Sequence, residues 1–202
     1  MVTILGKSEP VITMVLDNIN PEMVVVINNL NIPDTLPYKT KSAIFIEKKT
    51  LPKSQKNFVL GVTKPENKKK IRELYENIKD DKFINCIHKN TSISKTCTLG
   101  NGLIINSFVS IASYSKLGNF VTVNRNASIG HHTEIGDYTT INPNACVCGE
   151  IKIGKYCMIG AGAVIIERLS ICDNVIIGAG SLVRKDIDEP GTYVGNPLVK
   201  IR

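Results

Sequence analysis

Aliphatic residues recur at every sixth position from Ile87 to Val183. This series, called here the anchor series, runs for 17 consecutive positions without a break. The residue four places after each anchor is uncharged and in most cases small. An α-helix requires an apolar period near 3.6 residues and a half-buried strand a period of about 2, so neither element explains the pattern. The anchors are Ile87, Ile93, Leu99, Ile105, Ile111, Leu117, Val123, Ile129, Ile135, Ile141, Val147, Ile153, Ile159, Ile165, Ile171, Ile177 and Val183.

A period of six residues indicates short straight edges that are joined by corners. Such edges wind into coils, and stacked coils bury their inward side chains against one another in a parallel β-solenoid. Three edges in each coil give about 18 residues per coil. A glycine often follows the anchor, and we expect it to supply a turn with positive φ. These glycines are Gly100, Gly118, Gly130, Gly136, Gly154, Gly160 and Gly178.

The N-terminal part shows a different pattern, in which short apolar runs alternate with amphipathic segments. Alternation of strands and helices is typical of a parallel sheet with crossover helices. The second helix is expected to turn Ile71, Leu74 and Ile78 inward. We therefore predict two domains, at residues 1–82 and 83–202. The predicted strands are residues 2–6, 23–27, 42–46 and 58–62, and the predicted helices are residues 11–19 and 64–79.

Composition and charge narrow the possible classes of protein. Of the 202 residues, 43% are hydrophobic and 21% are charged, which is typical of a folded chain. No apolar run approaches the roughly 18 residues of a membrane span, and residues 1–10 lack the features of a signal peptide, so a cytoplasmic location is expected. The net charge of +7 suits small anionic ligands. Its densest run, residues 68–72, is interpreted as a solvated helix face rather than a nucleic-acid site.

The cysteines and histidines give no indication of a metal site. The six cysteines are expected to be free thiols, because a cytosolic chain keeps its thiols reduced. Cys146 and Cys148 are separated by one residue, which is a poor spacing for a zinc pair. A zinc carbonic anhydrase would need three converging histidines. His88 lies more than two coils before His131 and His132, so we expect no metal.

The hexads of the form Ile-Gly-x-x-Ala/Thr-x resemble those of the hexapeptide-repeat acyltransferases, which fold as a left-handed β-helix. The left hand is implied by this resemblance alone, since parallel crossovers are otherwise right-handed. A Rossmann-like α/β domain followed by an uninterrupted prism resembles the sialic acid O-acetyltransferase type. That family includes enzymes that acetylate nucleotide-linked 4-amino-4,6-dideoxy sugars with acetyl-CoA.

The resemblance places the family's catalytic segment at residues 130–137 and its general base at His131. An imidazole of near-neutral pKa can take the proton of an amine or hydroxyl that attacks a thioester. From the residues alone, His131 could equally be an exposed surface histidine. Family members often carry a carboxylate next to the base, whereas this chain has His132, whose side chain is expected to point the opposite way. Glu134, Asp137 or a group from another chain could take the place of that carboxylate.

The resemblance also implies residues that contact acetyl-CoA. One coil beyond His131 stands Gly149, whose backbone N–H is expected to meet the acetyl carbonyl. Small residues further along would let the pantetheine arm lie against the wall, and basic residues at the end could hold phosphates. Packing at solenoid corners explains the same small residues without a ligand. The implied cofactor residues are Thr140, Gly149, Ala161, Ala179 and Lys185, with Arg184 beside the last.

The nucleotide part of the substrate is expected to bind the N-terminal domain. The turn after the first predicted strand contains Gly6 and Ser8, where the family has a glycine-rich turn. Asn28 and Asn29 follow the second predicted strand, where the family commonly has acidic residues, and an amide can pair with a pyrimidine edge. A structural domain without a nucleotide site is the alternative.

The leading hypothesis is therefore an acetyl-CoA-dependent N-acetyltransferase that acts on the amino group of a nucleotide-linked amino sugar. An O-acetyltransferase of sialic acid or another glycan is the alternative enzyme, and a non-catalytic scaffold is the alternative of another class. An outward histidine on one flat face has no second wall for a substrate. We therefore expect a homotrimer, in which a neighbouring prism supplies that wall.

Overall fold

A computed structural model of the chain describes residues 1–19, 21–27, 43–47 and 57–202. The N-terminal part is a parallel four-stranded sheet with α1 between β1 and β2 and α2 after β4. The strand order is β3-β2-β1-β4, so the first and fourth strands are neighbours. The elements are β1 Val2–Leu5, α1 Glu9–Ile19, β2 Met23–Ile27, β3 Ala43–Glu47, β4 Phe58–Leu60, α2 Pro65–Leu74 and a 3₁₀ turn at Asp80–Lys82.

The second part is a three-faced parallel β-helix, as the anchor series predicts. Strands in successive coils pair in register at a spacing of 18 residues, so that Thr122 lies opposite Thr140. Three sheets result, in the orders β19-β16-β13-β10-β7, β23-β22-β20-β17-β14-β11-β8-β5 and β21-β18-β15-β12-β9-β6. The strands are β5 Cys86–Ile87, β6 Ser92–Ile93, β7 Thr98–Leu99, β8 Ile104–Ile105, β9 Ser110–Ile111, β10 Lys116–Leu117, β11 Thr122–Val123, β12 Ser128–Ile129, β13 Glu134–Ile135, β14 Thr140–Ile141, β15 Cys146–Val147, β16 Lys152–Ile153, β17 Met158–Ile159, β18 Val164–Ile165, β19 Ser170–Ile171, β20 Val175–Ile177, β21 Leu182–Val183, β22 Gly191–Val194 and β23 Val199–Lys200.

The core of the β-helix consists of the anchors and of the small residues four places after them. Every anchor from Ile105 to Val183 is buried, whereas Ile87, Ile93 and Leu99 in the first coil are half-buried. The first coil has a neighbour on one side only, which explains the difference. Strands β22 and β23 close the other end, because β22 pairs with β20 and β23 turns back against β22.

The expectation about the glycines was wrong. The positive φ angles fall three places after the anchor, mostly on residues other than glycine, such as Tyr138 at 63°. The glycine directly after the anchor is required by the close approach of the next coil. A Cβ added to Gly130 would lie 2.4 Å from the carbonyl carbon of Cys148 and 2.5 Å from the nitrogen of Gly149.

The second helix is shorter than predicted, and one of its three predicted inward residues is wrong. It ends at Leu74, whose side chain is 66% exposed rather than buried. Ile71 and Ile78 are buried as predicted, and Lys68 and Tyr75 are buried beside them. The interpretation of residues 68–72 as a solvated face therefore fails for Lys68.

Lys68 joins α2 to the β-helix. Its ammonium donates hydrogen bonds to the carbonyl of Phe120 at 3.0 Å and to Thr140 Oγ1 at 2.8 Å. The carbonyls of Tyr138 and Thr139 lie within 3.3 Å of the same nitrogen. Burial lowers the pKa of this ammonium, and the surrounding oxygens compensate for its lost hydration.

Aromatic rings reinforce the same junction. The ring of Phe120 stacks on that of Tyr138 at 5.0 Å between centroids, and Tyr138 stacks on Tyr156 at 5.1 Å. Phe83, at the start of the β-helix, packs edge-on against Phe120. On the first helix, the side-chain amide of Asn18 donates to the carbonyls of Cys86 and Ile105. Both helices are thus fixed to the prism.

We predict that Lys68→Met lowers the free energy of unfolding by about 1–3 kcal/mol, because the buried oxygens lose their shared donor while the volume is kept. The matched control is Lys70→Met, since Lys70 lies exposed on the same helix. Urea unfolding of the two variants measures the difference. Equal midpoints for both variants would show that Lys68 does not stabilise the junction.

Candidate active site

His131 and His132 lie at the corner between β12 and β13, and both are exposed. Their Nδ1 atoms are 3.0 Å apart, within hydrogen-bond distance, and the rings are nearly perpendicular. The expectation that the two side chains point opposite ways was therefore wrong. It assumed extended backbone, whereas His132 has a left-handed φ of 57°, which turns its side chain towards its neighbour.

Gly149 lies directly against the ring of His131 on the next coil. A Cβ placed on Gly149 would be 2.9 Å from both Cε1 and Nε2 of that ring. The backbone N–H of Glu150 donates to the His131 carbonyl at 2.8 Å, which fixes the two coils to each other at this corner. The imidazole thus lays the face of its Cε1–Nε2 side against the glycine, and its Nδ1 lies towards His132.

The carboxylates that were expected to orient His131 are engaged elsewhere. Glu134 pairs with Lys116 at 2.8 Å, and the hydrogen bond and charge of that lysine lower the pKa of the carboxyl group. Asp137 pairs with Lys155 at 2.9 Å. The ring-nitrogen partner that the structure gives His131 is a second imidazole rather than a carboxylate.

The predicted cofactor residues fall on two different corners of the prism. His131, Gly149 and Lys185 lie along one corner of the prism. Gly149 comes one coil of 18 residues after His131, and Lys185 comes two coils after Gly149. Ala161 and Ala179 are exposed on another corner, where the N–H of Gly180 donates to the Ala161 carbonyl. One chain therefore does not bring the alanines together with the histidine.

Basic residues surround a cleft at the C-terminal end of the prism. The cleft has a volume of about 310 Å³, and the side chains of Arg184 and Lys185 at its rim are exposed. The lining residues are Leu182, Arg184, Lys185, Asp186, Ile187, Tyr193, Pro197, Leu198 and Lys200.

Thr140 lies away from any surface that a cofactor could reach. Its side chain is 2% exposed, and its hydroxyl donates to the carbonyl of Thr63 while it accepts from Lys68. The prediction that this side chain contacts the cofactor is therefore corrected. Helix α2 and the loop before it cover the corner, which the hexad pattern alone could not indicate.

The N-terminal residues predicted to hold the nucleotide are only partly described. Gly6 ends β1 with a φ of 91°, and a Cβ there would lie 2.5 Å from Cδ1 of Ile71. Ser8 precedes α1, and its carbonyl accepts the N–H of Ile12. Asn28 and Asn29 lie outside the described residues. The packing of Ile71, on α2, against Gly6 accounts for the glycine without a ligand.

A cleft that the sequence did not indicate lies between the start of α2 and the outer face of the sheet that contains β17 and β20. Its volume is about 580 Å³. The ammonium of Lys69 lies 5.4 Å from the ring centre of Tyr156 within it. Only the stacking of coils places Tyr156 beside this helix. The lining residues are Lys64, Pro65, Glu66, Lys69, Tyr156, Met158, Asn174 and Ile176.

Three solved structures share this fold over nearly the whole chain. A histidine-to-asparagine variant of perosamine N-acetyltransferase from Caulobacter crescentus, in complex with CoA and GDP-perosamine, is 20% identical, with a TM-score of 0.86 and coverage of 100% of this chain and 96% of that one. WeeI from Acinetobacter baumannii is 25% identical, with a TM-score of 0.84 and coverage of 100% and 99%. The acetyltransferase domain of PglB from Neisseria gonorrhoeae is 20% identical, with a TM-score of 0.84 and coverage of 99% and 98%.

The sequence itself carries the matching repeat. The family profile described as bacterial transferase hexapeptide (six repeats) matches residues 150–185. The sequence matches no curated protein, so the likeness rests on the repeat and the fold. The repeat and the fold are those of the hexapeptide-repeat acyltransferases. This repeat implies a left-handed β-helix.

Residues 1–19, 21–27, 43–47 and 57–202 contain no cluster of three His, Cys, Asp or Glu side chains placed to hold a metal ion. Within those same ranges, no helix has the length and apolar character needed to cross a bilayer. The six cysteines all lie in the described residues and form no disulfide there, and burial raises the pKa of the Cys86 thiol to about 12.

We predict that Gly149→Ala displaces the His131 ring, because the new methyl group would stand 2.9 Å from two ring atoms. The imidazole resonances of His131 should shift in an NMR spectrum of the folded variant. His88 lies in the first coil and is the internal control. Unchanged His131 resonances would mean that the ring does not lie against the glycine.

Proposed function

We propose that the protein is an acetyl-CoA-dependent N-acetyltransferase that acts on the amino group of a nucleotide-linked amino sugar. The observation that carries the proposal is the exposed His131 imidazole on the corner of a hexapeptide-repeat prism, with Nδ1 occupied by His132 and Nε2 beside Gly149. The similar structures include two proteins named as acetyltransferases, and one of these contains CoA and GDP-perosamine.

In this proposal His131 is the general base. The substrate amine attacks the thioester carbonyl of acetyl-CoA, a C–N bond forms and the C–S bond breaks. Nε2 of His131 accepts the proton that the amine loses, and that proton then passes to the departing thiolate. The backbone N–H of Gly149, next to the ring, is the proposed donor to the oxygen that becomes negatively charged during the attack.

The proposed path of acetyl-CoA runs from His131 towards the basic cleft at Arg184 and Lys185. The thiol end lies at Gly149, and the phosphates lie among the basic side chains, where charge-assisted hydrogen bonds are strongest. Ala161 and Ala179 form a second wall whose small side chains leave room for the pantetheine arm. That wall belongs to a different corner, so it must come from a neighbouring copy.

We therefore propose a homotrimer, in which the His131 corner of one prism meets the alanine corner of the next. Each corner carries an exposed aromatic side chain in support of this arrangement. Tyr114, on the corner of His131, is 57% exposed, and Phe108, on the corner of Ala161, is 66% exposed. Aromatic side chains are enriched in interfaces between proteins, and closed cyclic symmetry buries both corners of every subunit.

We propose that residues 1–82 form a Rossmann-like domain that binds the nucleotide. In support, the order β3-β2-β1-β4 is the order of one half of a dinucleotide-binding sheet. In such sheets ligands bind where the strand order reverses, here between β1 and β4. Gly6 and Ser8 follow β1, and Asn28 and Asn29 follow β2.

We also propose a cytoplasmic location, because six free thiols suit a reducing compartment.

We predict that His131→Ala lowers kcat about 10²–10⁴-fold and leaves the KM for acetyl-CoA nearly unchanged, because a general base acts in the transition state. The matched control is His88→Ala, which removes a histidine from the first coil and should retain activity. Steady-state kinetics of acetyl-CoA consumption measure both variants. Equal loss in the two variants, or none in His131→Ala, would remove His131 as the base.

A further inference from the structure

The contact between His131 and His132 requires a definite arrangement of protons. Each imidazole nitrogen either carries a hydrogen and donates or carries a lone pair and accepts. Two Nδ1 atoms at 3.0 Å form a hydrogen bond only if one of them is protonated and the other is not. The bond made by one ring nitrogen therefore decides which tautomer the ring adopts.

His132 is held in place independently of this hydrogen bond. Its backbone N–H donates to the carbonyl of Ser113 at 2.9 Å, and its ring lies over that of Tyr114 at 5.0 Å between centroids. Glu150, one coil further along the same corner, pairs with Arg168 at 3.3 Å. His132 is thus a fixed neighbour for His131, and the carboxylate one coil further on is engaged with an arginine.

We propose that His132 is a positioning residue whose Nδ1 accepts a hydrogen bond from the Nδ1–H of His131. This bond holds His131 in the tautomer that leaves Nε2 unprotonated, with Gly149 against the ring face beside that nitrogen. The contact requires that one of the two Nδ1 atoms donates to the other. That His131 is the donor rests on the proposed function of its Nε2 as the base.

The hydrogen bond between the two imidazoles is kept during the proton transfer. When Nε2 of His131 accepts a proton from the attacking amine, the resulting imidazolium still donates through Nδ1 to neutral His132. His132 neither gains nor loses a proton. Because its Nδ1 is a neutral acceptor, it stabilises the imidazolium less than a carboxylate would.

The chain itself supplies two substitutions for His132 that suit its backbone. Phe108 and Phe120 occupy the equivalent corner position in other coils with a φ of 59°, and so do Asn126 and Asn144. His132→Phe keeps a ring over Tyr114 but removes the acceptor. His132→Asn restores an acceptor oxygen near the position of Nδ1. The two variants therefore separate the hydrogen bond from the fold of the corner.

The first measurement needs no activity. Nitrogen-15 NMR of the folded protein, at a pH where both rings are neutral, should show the hydrogen of His131 on Nδ1 in the wild type and in His132→Asn. In His132→Phe it should move to Nε2, the tautomer that a free imidazole prefers. An Nδ1–H tautomer that persists in His132→Phe would overturn the proposal.

The second measurement uses acetyl transfer. His132→Phe should lower kcat about 10–100-fold, the range found when the orienting partner of a histidine is removed, with the KM for acetyl-CoA unchanged. His132→Asn should recover most of this loss, which a merely structural role would not predict. Equal losses in both variants would contradict the proposal. The NMR result can hold while neither the wild type nor any variant transfers acetyl groups. In that case the tautomer set by His132 is confirmed and the proposed function is wrong.

Discussion

Burial of one aliphatic anchor in each six-residue edge sets the register of every coil on the next. A fully buried aliphatic side chain contributes about 1.5–3 kcal/mol, and a slip of one residue would turn the anchors outward. The register is therefore fixed at 18 residues, and residues at that interval stack along one corner. His131, Gly149 and Lys185 form one such line, so the geometry of the candidate site is a consequence of core packing.

This periodicity explains what the sequence could predict. The anchor series identifies the buried residues of the β-helix, and its arithmetic places Gly149 beside His131 without a structure. The glycines that follow the anchors are indeed required at those positions, but the close approach of the next coil requires them and not the predicted positive φ. A hexad pattern shows which residues face inward, but it does not show that the left-handed corner tolerates phenylalanine, tyrosine and histidine while the neighbouring coil excludes a Cβ at Gly130.

The remaining errors concern contacts between distant or adjacent residues that no periodicity encodes. Lys68 was expected in solvent because it belongs to a charged run, yet it lies buried against Thr140, 72 residues later. Because of that same contact, Thr140 is buried and does not belong to the predicted cofactor surface. The contact of His131 with His132 depends on a single left-handed residue. Polar partners of this kind are chosen by tertiary geometry, so local patterns could not show them.

The central claim is that this prism transfers an acetyl group from acetyl-CoA to the amine of a nucleotide-linked sugar. The most direct measurement incubates the purified protein with acetyl-CoA and a panel of nucleotide-linked 4-amino-4,6-dideoxy sugars, free amino sugars and sialic acids, and identifies the products by mass spectrometry and NMR. The account predicts CoA release and an acetamide on the sugar of at least one nucleotide-linked substrate. Acetylation of sialic acid or glycan hydroxyls alone, or no CoA release with any acceptor, would contradict it.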